Sequence, residues 1–240
     1  MKNSWSCSTR RVSALAFMLL ALLFAACSDD DDNPAGPADK NTGTVTDIDG
    51  NVYQTVKIGN QWWMAENLRV THYQNGDPIP NVTDDNAWVA QATGAYCNYS
   101  NDPALATIYG RLYNWYAVSY MRSIAPAGWH VPTKTEWQQL ADFLGGDSLA
   151  GGKMKEEGTA HWKTPNTSAT NESGFAARAA GSRHESTGKF GFRFLSNDYW
   201  TATEFSGTSA WYRALSNTTA SLGAHANNKH YGFSVRCVKD

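Results

Sequence analysis

The sequence predicts a loop-rich α+β domain over residues 44–240, and three observations predict it. Strand-type segments occupy both ends of this region, with helical signals between them, an order that suits one α+β domain whose N- and C-terminal strands share an antiparallel sheet. The strongest helical signal is a capping box followed by apolar residues at helical spacing. The region also holds nine tryptophans, from Trp62 to Trp211, among many glycines and asparagines. Such a composition favours short elements and long, well-packed loops. No internal repeat and no second linker divide it, so a single domain with two main helices is expected.

Taken in order, residues 44–59 read as a β-hairpin turning at Asp49-Gly50-Asn51. Val52, Gln54 and Val56 do not alternate cleanly with apolar neighbours, which leaves the register open. Gly59-Asn60 makes a second turn into a third strand over 61–68. Residues 71–104 carry Pro78, Pro80, Pro103 and several Asn-Asp pairs, and read as loop. Leu112, Trp115, Tyr116 and Val118 have helix-like spacing, which predicts a helix over 109–118. Thr133-Lys134-Thr135-Glu136 then caps a second helix whose apolar face is Trp137, Leu140, Ala141 and Leu144, closed by Gly145-Gly146. A short further turn is expected over 149–155. Strands are predicted over 190–195, 199–204, 210–215 and 231–238.

The first 43 residues have another character. Lys2, Arg10 and Arg11 precede a mostly apolar run over 12–24, shorter than the roughly 20 residues of a spanning helix. Ala25, Ala26 and Cys27 follow. This resembles a bacterial lipoprotein signal, with 1–26 removed and Cys27 acylated, although Phe24 stands where leucine is usual. An ordinary secretory signal cut near Ala26 is the alternative. Ser28, Asp29, Asp30, Asp31 and Asp32 resemble the acidic export signal that Bacteroidota place after the lipidated cysteine. Read without the resemblance, the run is a self-repelling, solvated tether over 27–43. The expected location is the outer membrane, facing the cell exterior, with the membrane reached through the lipid anchor.

The formal net charge is −2, and loss of Lys2, Arg10 and Arg11 with the leader makes the mature chain more acidic. That excludes the basic footprint of a nucleic-acid binder. Cys97 and Cys237 are the domain's cysteines; an oxidising compartment allows them to pair, and two separate buried thiols are the alternative. The six histidines show no metal-ligand spacing, and His130 reads as a hydrogen-bonded structural residue. No Gly-x-Ser-x-Gly elbow occurs. Asp84, Asp85 and Asn86, and separately Asn197, Asp198 and Glu204, are oxygen-rich groups that admit calcium, but turns and caps explain them more simply and no EF-hand pattern is present. Neither a metal nor a cofactor is expected. The sharpest ligand candidates are Trp162, Trp200, Trp211 and Tyr212 with Arg183 and Arg213, because aromatic faces stack on sugar rings while guanidinium groups reach hydroxyls.

Several runs carry a family resemblance. They are Thr46-Asp47-Ile48-Asp49-Gly50-Asn51-Val52-Tyr53, Trp63-Met64-Ala65-Glu66-Asn67-Leu68, Gly110-Arg111-Leu112-Tyr113-Asn114-Trp115, Pro126-Ala127-Gly128-Trp129-His130-Val131-Pro132-Thr133, and the closing Gly232-Phe233-Ser234-Val235-Arg236-Cys237-Val238-Lys239-Asp240. In order and spacing they resemble the Fibrobacter succinogenes major paralogous domain of envelope lipoproteins. Ala125 stands where that family usually has a cysteine, which weakens its usual pairing and leaves Cys237 without that partner. More distantly, Gly128-Trp129-His130-Val131-Pro132-Thr133 with Glu136-Trp137 is similar to a segment of formylglycine-generating enzymes, which implies a C-type-lectin-like fold. The closely placed active cysteines of those enzymes are missing, so their activity does not carry over. The expected function is a lipid-anchored, non-catalytic binding or adhesion module for a glycan or surface protein. A structural subunit of an appendage or envelope complex is the alternative, and an enzyme the third reading.

Overall fold

The computed structural model describes residues 41–119 and 121–240. The expected signal peptide, Cys27 and residues 28–32 lie outside the described residues. The hairpin forms where the sequence places it, with β1 (Thr42–Thr46) pairing β2 (Val52–Ile58) in the register Thr46↔Val52. Asp47 organises its turn. One carboxylate oxygen accepts from the Asp49 and Asn51 amides at 3.0 and 2.9 Å, and the other from the Tyr53 hydroxyl at 2.5 Å. The broken alternation in β2 has a structural reason. Tyr53 faces one core, whereas Val56 and Ile58 face another on the opposite side of the sheet.

β3 (Gln61–Met64) continues the sheet beside β2. Two short strands complete it: β6 (Trp129–His130) and β12 (Val238–Lys239), in the antiparallel order β1-β2-β3-β12-β6. Val238 lies between Trp63 and His130, so the two ends of the domain do meet in one sheet. One core, around Tyr53, Met64, Tyr113, Trp115, Trp200 and Phe233, packs on one face. The second, around Val56, Trp63, Trp137, Leu140, Trp162 and Tyr199, packs on the other.

The intervening elements are short. They are α1 (Asp85–Val89), β4 (Tyr96–Cys97), α2 (Ala106–Tyr109), β5 (Leu112–Tyr113) and α3 (Trp115–Val118). The single helix expected over 109–118 is therefore replaced by α2, β5 and α3. Gly110 causes the break: its φ is 73°, and a Cβ there would lie 2.5 Å from Asn67 Cβ. Beyond it Leu112 and Tyr113 extend to pair with β4, and the Tyr113 amide donates to the Phe233 carbonyl at 2.9 Å. Asn114 then caps α3, accepting from the Ala117 amide.

α4 (Lys134–Phe143) carries both halves of the expected capping box between Thr133 and Glu136. His130 ties this helix start to the last strand, with Nε2 2.7 Å from Glu136 and Nδ1 2.6 Å from Asp240. Burial lowers the His130 pKa, but these two carboxylates outweigh it and hold the pKa above the usual value. α5 (Asp147–Met154) is a helix where only a turn was expected. It delivers Lys155 into the interior, where Nζ donates to the carbonyls of Thr167, Ser216 and Thr219 at 2.8–2.9 Å.

The C-terminal third holds β7 (Ser182–Arg183) paired with β8 (Phe190–Gly191). A second antiparallel sheet follows, of β9 (Ser196–Ser206), β10 (Ser209–Ser216) and β11 (Leu222–Asn228), in the order β11-β10-β9. The strand expected over 190–195 stops early because Phe192 and Phe194 take positive φ, 66° and 68°. The strand expected over 231–238 is mostly a run of isolated bridges, in which Gly232, Phe233 and Ser234 reach Arg183, Tyr113 and Tyr199.

Cys97 and Cys237 are both free and buried, which corrects the disulfide expectation. Cys237 belongs to the Tyr53 core, whereas Cys97 sits with Trp88, Ala95 and Leu112 in a separate cluster. Burial pushes the Cys97 thiol up to about 12 and the Cys237 thiol well above the usual range. Among the described residues no helix is long and apolar enough to cross a membrane.

Candidate functional site

Of the six residues first singled out for ligand contact, four are interior. Trp162 is 1% exposed and donates Nε1–H to the Ala177 carbonyl; Trp200 is fully buried and donates to the Tyr113 carbonyl. Arg183 is equally buried, with its guanidinium donating to the carbonyls of Gly188, Val82 and Thr83 and to Asp85. Arg213 pairs with Asp147 and Gln138. These side chains hold loops together and offer no face to a ligand. Trp211 and Tyr212 stay partly open; Trp211 lies beside exposed Phe205 at 5.2 Å and beneath Lys134 Nζ at 3.4 Å.

Both oxygen-rich groups separate in space. Asp84 caps α1, and Asp85 pairs with Lys189 and Arg183. Asn197 turns inward to accept from Ser234 Oγ, and Glu204 pairs with Lys229. Asp198 goes the other way because successive strand residues face opposite sides.

That opposite side of the second sheet is the outer margin of the Tyr53 core, where Tyr212 and Tyr231 pack partly buried against Trp200 and Phe233. Register places Asp198 and Trp200 of β9, Tyr212 and Ala214 of β10, and Gly223, His225 and Asn227 of β11 on one face. Trp200 is its floor. Phe233 packs 4.5 Å from Trp200, 4.8 Å from Tyr212 and 5.1 Å from Tyr231, stacked on the last. Tyr231 lies 5.1 Å from His184, and Tyr212 lies 5.7 Å from His225. Gly223 leaves room for the His225 ring: a Cβ there would sit 2.6 Å from His225 Nε2. Tyr212, Tyr231, Asp198 and Glu185 are half-buried, and His225 is exposed. The result is a half-open strip running from Asp198 past Tyr212, Asn227 and Tyr231 to Glu185.

Its electrostatics are unusual for a surface. Burial alone pushes the Asp198 carboxyl up to about 7; among the described residues no donor or cation holds its charged form. Burial and the Asp198 charge raise the Tyr212 pKa, while burial and Glu185 raise that of Tyr231 to about 12. The Asn227 side chain reaches both phenols. Glu185 accepts from the Tyr231 hydroxyl, and its Oε2 is buried with no hydrogen-bond donor among the described residues. It lies 2.9 Å from His184 Nδ1, but that nitrogen accepts from the Ser186 amide and so has no proton to offer when the ring is neutral.

The raised Asp198 pKa fixes the sign of a stability effect. The folded state keeps the Asp198 proton between about pH 4 and pH 7, where the unfolded chain has lost it, so this group makes folding less favourable as pH rises through that window. Asp198→Asn should therefore stabilise the domain at pH 8 by about 2 kcal/mol, a figure reduced for residual solvent contact, and change little at pH 4. Urea unfolding at both pH values measures this; an equal effect at the two would sink the assignment.

Elsewhere, a cavity of about 250 Å³ is lined in part by Gln54, Glu66, Asn67, Ile108, Arg178 and Arg236. Its most buried cation, Arg236, is occupied internally by Asn67 and the carbonyls of Met64, Phe175 and Ala176. It is a buried joint more than an open site.

Sequence reasoning named Asp198 and Tyr212 and counted His184 and His225 among six scattered histidines without joining them, and it missed Glu185, Asn227 and Tyr231 as site residues. The face parity of β9–β11 is the signal that joins them, and it exists only once register is known.

The architecture thus defines a β-rich α+β domain closed by its own end strands, with a second sheet that presents a half-open polar and aromatic face. Within that class, the chain belongs to the Fibrobacter succinogenes major domain family, whose model matches residues 56–239. The similar runs from 63 onward fall within that span up to Lys239, while the hairpin run at 46–53 precedes it. No curated protein and no solved structure matches the chain.

Proposed function

We propose that this chain is a lipid-anchored envelope protein, displayed outside the outer membrane, whose domain is a non-catalytic binding module with a lectin-like fold. Support for the anchor is the Ala25-Ala26-Cys27 signal and the acidic run behind it. Support for the fold class is the pairing of the end strands and the loop-rich middle. The observation that carries the binding reading is the half-buried Asp198 carboxylate, to which no described residue donates, on the same sheet face as the partly open ring of Tyr212. Carboxylates and aromatic rings set side by side suit a sugar, whose hydroxyls donate while its apolar face stacks, or an exposed protein side chain. Asp198 is a half-buried group that needs a partner, which a scaffold subunit has no reason to keep on an open face.

A glycan array probed with the mature chain tests the reading, with Tyr212→Ala and Asp198→Asn as controls. Binding that both variants lose supports it; silence on the array, together with a neighbouring envelope protein recovered by surface crosslinking through another face, favours assembly instead.

Location has its own test. Cys27→Ala should remove the protein from the membrane fraction, and replacing Asp29 to Asp32 by alanine should leave it anchored but shielded from external protease. A Cys27→Ala protein that stays in the membrane overturns the anchor.

A further inference from the structure

We infer that the half-open cavity between Tyr73 and Tyr116 is a second binding site, one that takes an uncharged sugar ring. None of the residues of the strip on the second sheet lines it, so it stands apart from that reading. The cavity measures about 510 Å³, within the roughly 300–1,000 Å³ of small-ligand sites. Residues 73–80, 92–94 and 116–119 supply most of its wall. Cross-ties between these stretches and the core keep the space preformed. The Tyr73 amide donates to the Asp77 carbonyl at 2.9 Å, and the Tyr96 amide to the Pro80 carbonyl at 2.9 Å. Asn114, the cap of α3, donates to the Thr93 carbonyl at 2.8 Å and accepts from the Ala95 amide at 3.0 Å. Gly94 is where the stretches meet most closely: a Cβ there would run into the Tyr73 hydroxyl and lie 3.0 Å from Ala117 Cα.

The lining sets the ligand class. Rings dominate it: Tyr73, which is buried, Pro78 and Pro80, which are exposed, and Tyr116, held by an edge contact with His230 at 5.3 Å. Rigid ring faces stack on the C–H face of a pyranose and lose little side-chain entropy in doing so. The free polar groups are hydroxyls. Among the described residues, Tyr116 Oη and Ser119 Oγ have no hydrogen-bond partner. Thr93 Oγ1 accepts from Gln91 at 2.7 Å, which leaves its proton to give. Such groups both donate and accept, as sugar hydroxyls do, so they exchange water for a sugar without loss. Charge is cancelled: Arg122, the cation in the lining, pairs with Asp77 and lies 5.4 Å above the Tyr73 ring. A charged ligand therefore finds no open countercharge here. A proline-rich peptide also stacks on rings, but it brings few donors and leaves the acceptor side of these hydroxyls unmet.

Calorimetry on the mature chain tests this with the neutral β-1,4-linked hexasaccharides of glucose, mannose and galactose, with hexagalacturonate and with decaproline. At least one neutral hexasaccharide should bind, and hexagalacturonate should bind no more tightly. Tyr116→Ala removes a ring face and a hydroxyl and should weaken that binding about tenfold. Ala92→Trp, at an exposed position of the lining, fills the cavity and should abolish it. Urea unfolding checks that both variants remain folded. Tyr212→Ala, on the strip, should leave the binding unchanged. Decaproline bound with the same losses, in place of every neutral sugar, overturns the sugar assignment and makes the cavity a peptide site. Hexagalacturonate bound more tightly than every neutral probe overturns the uncharged class. Neutral-sugar binding that is lost in Tyr212→Ala but kept in Tyr116→Ala and Ala92→Trp overturns this site and leaves the strip reading intact. No binding of any neutral hexasaccharide overturns this inference, and a silent glycan array besides takes the sugar reading of the strip with it.

Discussion

Arg236→Met should lower the stability of the domain by about 4 kcal/mol, enough to unfold much of it at growth temperature. The side chain is 1% exposed, and its guanidinium donates to Asn67 Oδ1 and to the carbonyls of Met64, Phe175 and Ala176. It also lies 4.0 Å above the Phe175 ring. Each acceptor belongs to a different stretch of chain from the strand that Arg236 precedes. Methionine fills similar volume but leaves those oxygens buried without a donor, at roughly 1–3 kcal/mol each before relaxation. Arg236→Lys should recover little, because a single ammonium cannot span acceptors that a planar fork reaches. Urea unfolding followed by tryptophan fluorescence measures both; a loss under about 1 kcal/mol for Arg236→Met would mean that the carbonyls find water.

Lys155→Met is the second large effect. Replacing a buried ion pair by apolar residues is often neutral, because both charges leave together. Here the partners are the backbone carbonyls of Thr167, Ser216 and Thr219, which no side-chain substitution removes. The expected loss is about 3 kcal/mol, seen as a drop in Tm of roughly 10 °C. Hydrogen exchange should rise first around residues 164–170 and 216–220, the two loops the ammonium joins. Uniform loosening across the domain, with those loops no faster than the rest, would count against the assignment.

The fold could be read from the sequence where its signals are local. The Asp49-Gly50-Asn51 turn and the Thr133–Glu136 capping box each need only their own neighbours, and both formed as expected. The helix over 109–118 failed because Gly110 must approach Asn67, a residue far away in sequence. β11 was missed because Gly223, Ala224, Ala226 and Asn227 have little strand preference, and pairing with β10 imposes the conformation.

The site was less readable for a related reason. Asn197 and Asp198 look equivalent in sequence, yet one residue of register sends the first into a buried hydrogen bond and the second to the open face. Trp162 and Trp200 have the composition of a sugar platform. What a tryptophan does depends on which side of a sheet it faces, and these two face cores.

The placing of Val238 between Trp63 and His130 sets an order of events in the life of the chain. A five-stranded sheet whose fourth strand comes last of the five in sequence cannot close until that strand has been made. Until residue 238 emerges, β3 and β6 each lack a neighbour, and the long-range contacts that stabilise both cores are incomplete. The β1-β2-β3 sheet, α4 and the β9-β10-β11 sheet need no contact with β12 to form their own hydrogen bonds, so closure of the first sheet is the late step. The topology thus makes joining the two ends of the domain the event that completes both cores at once.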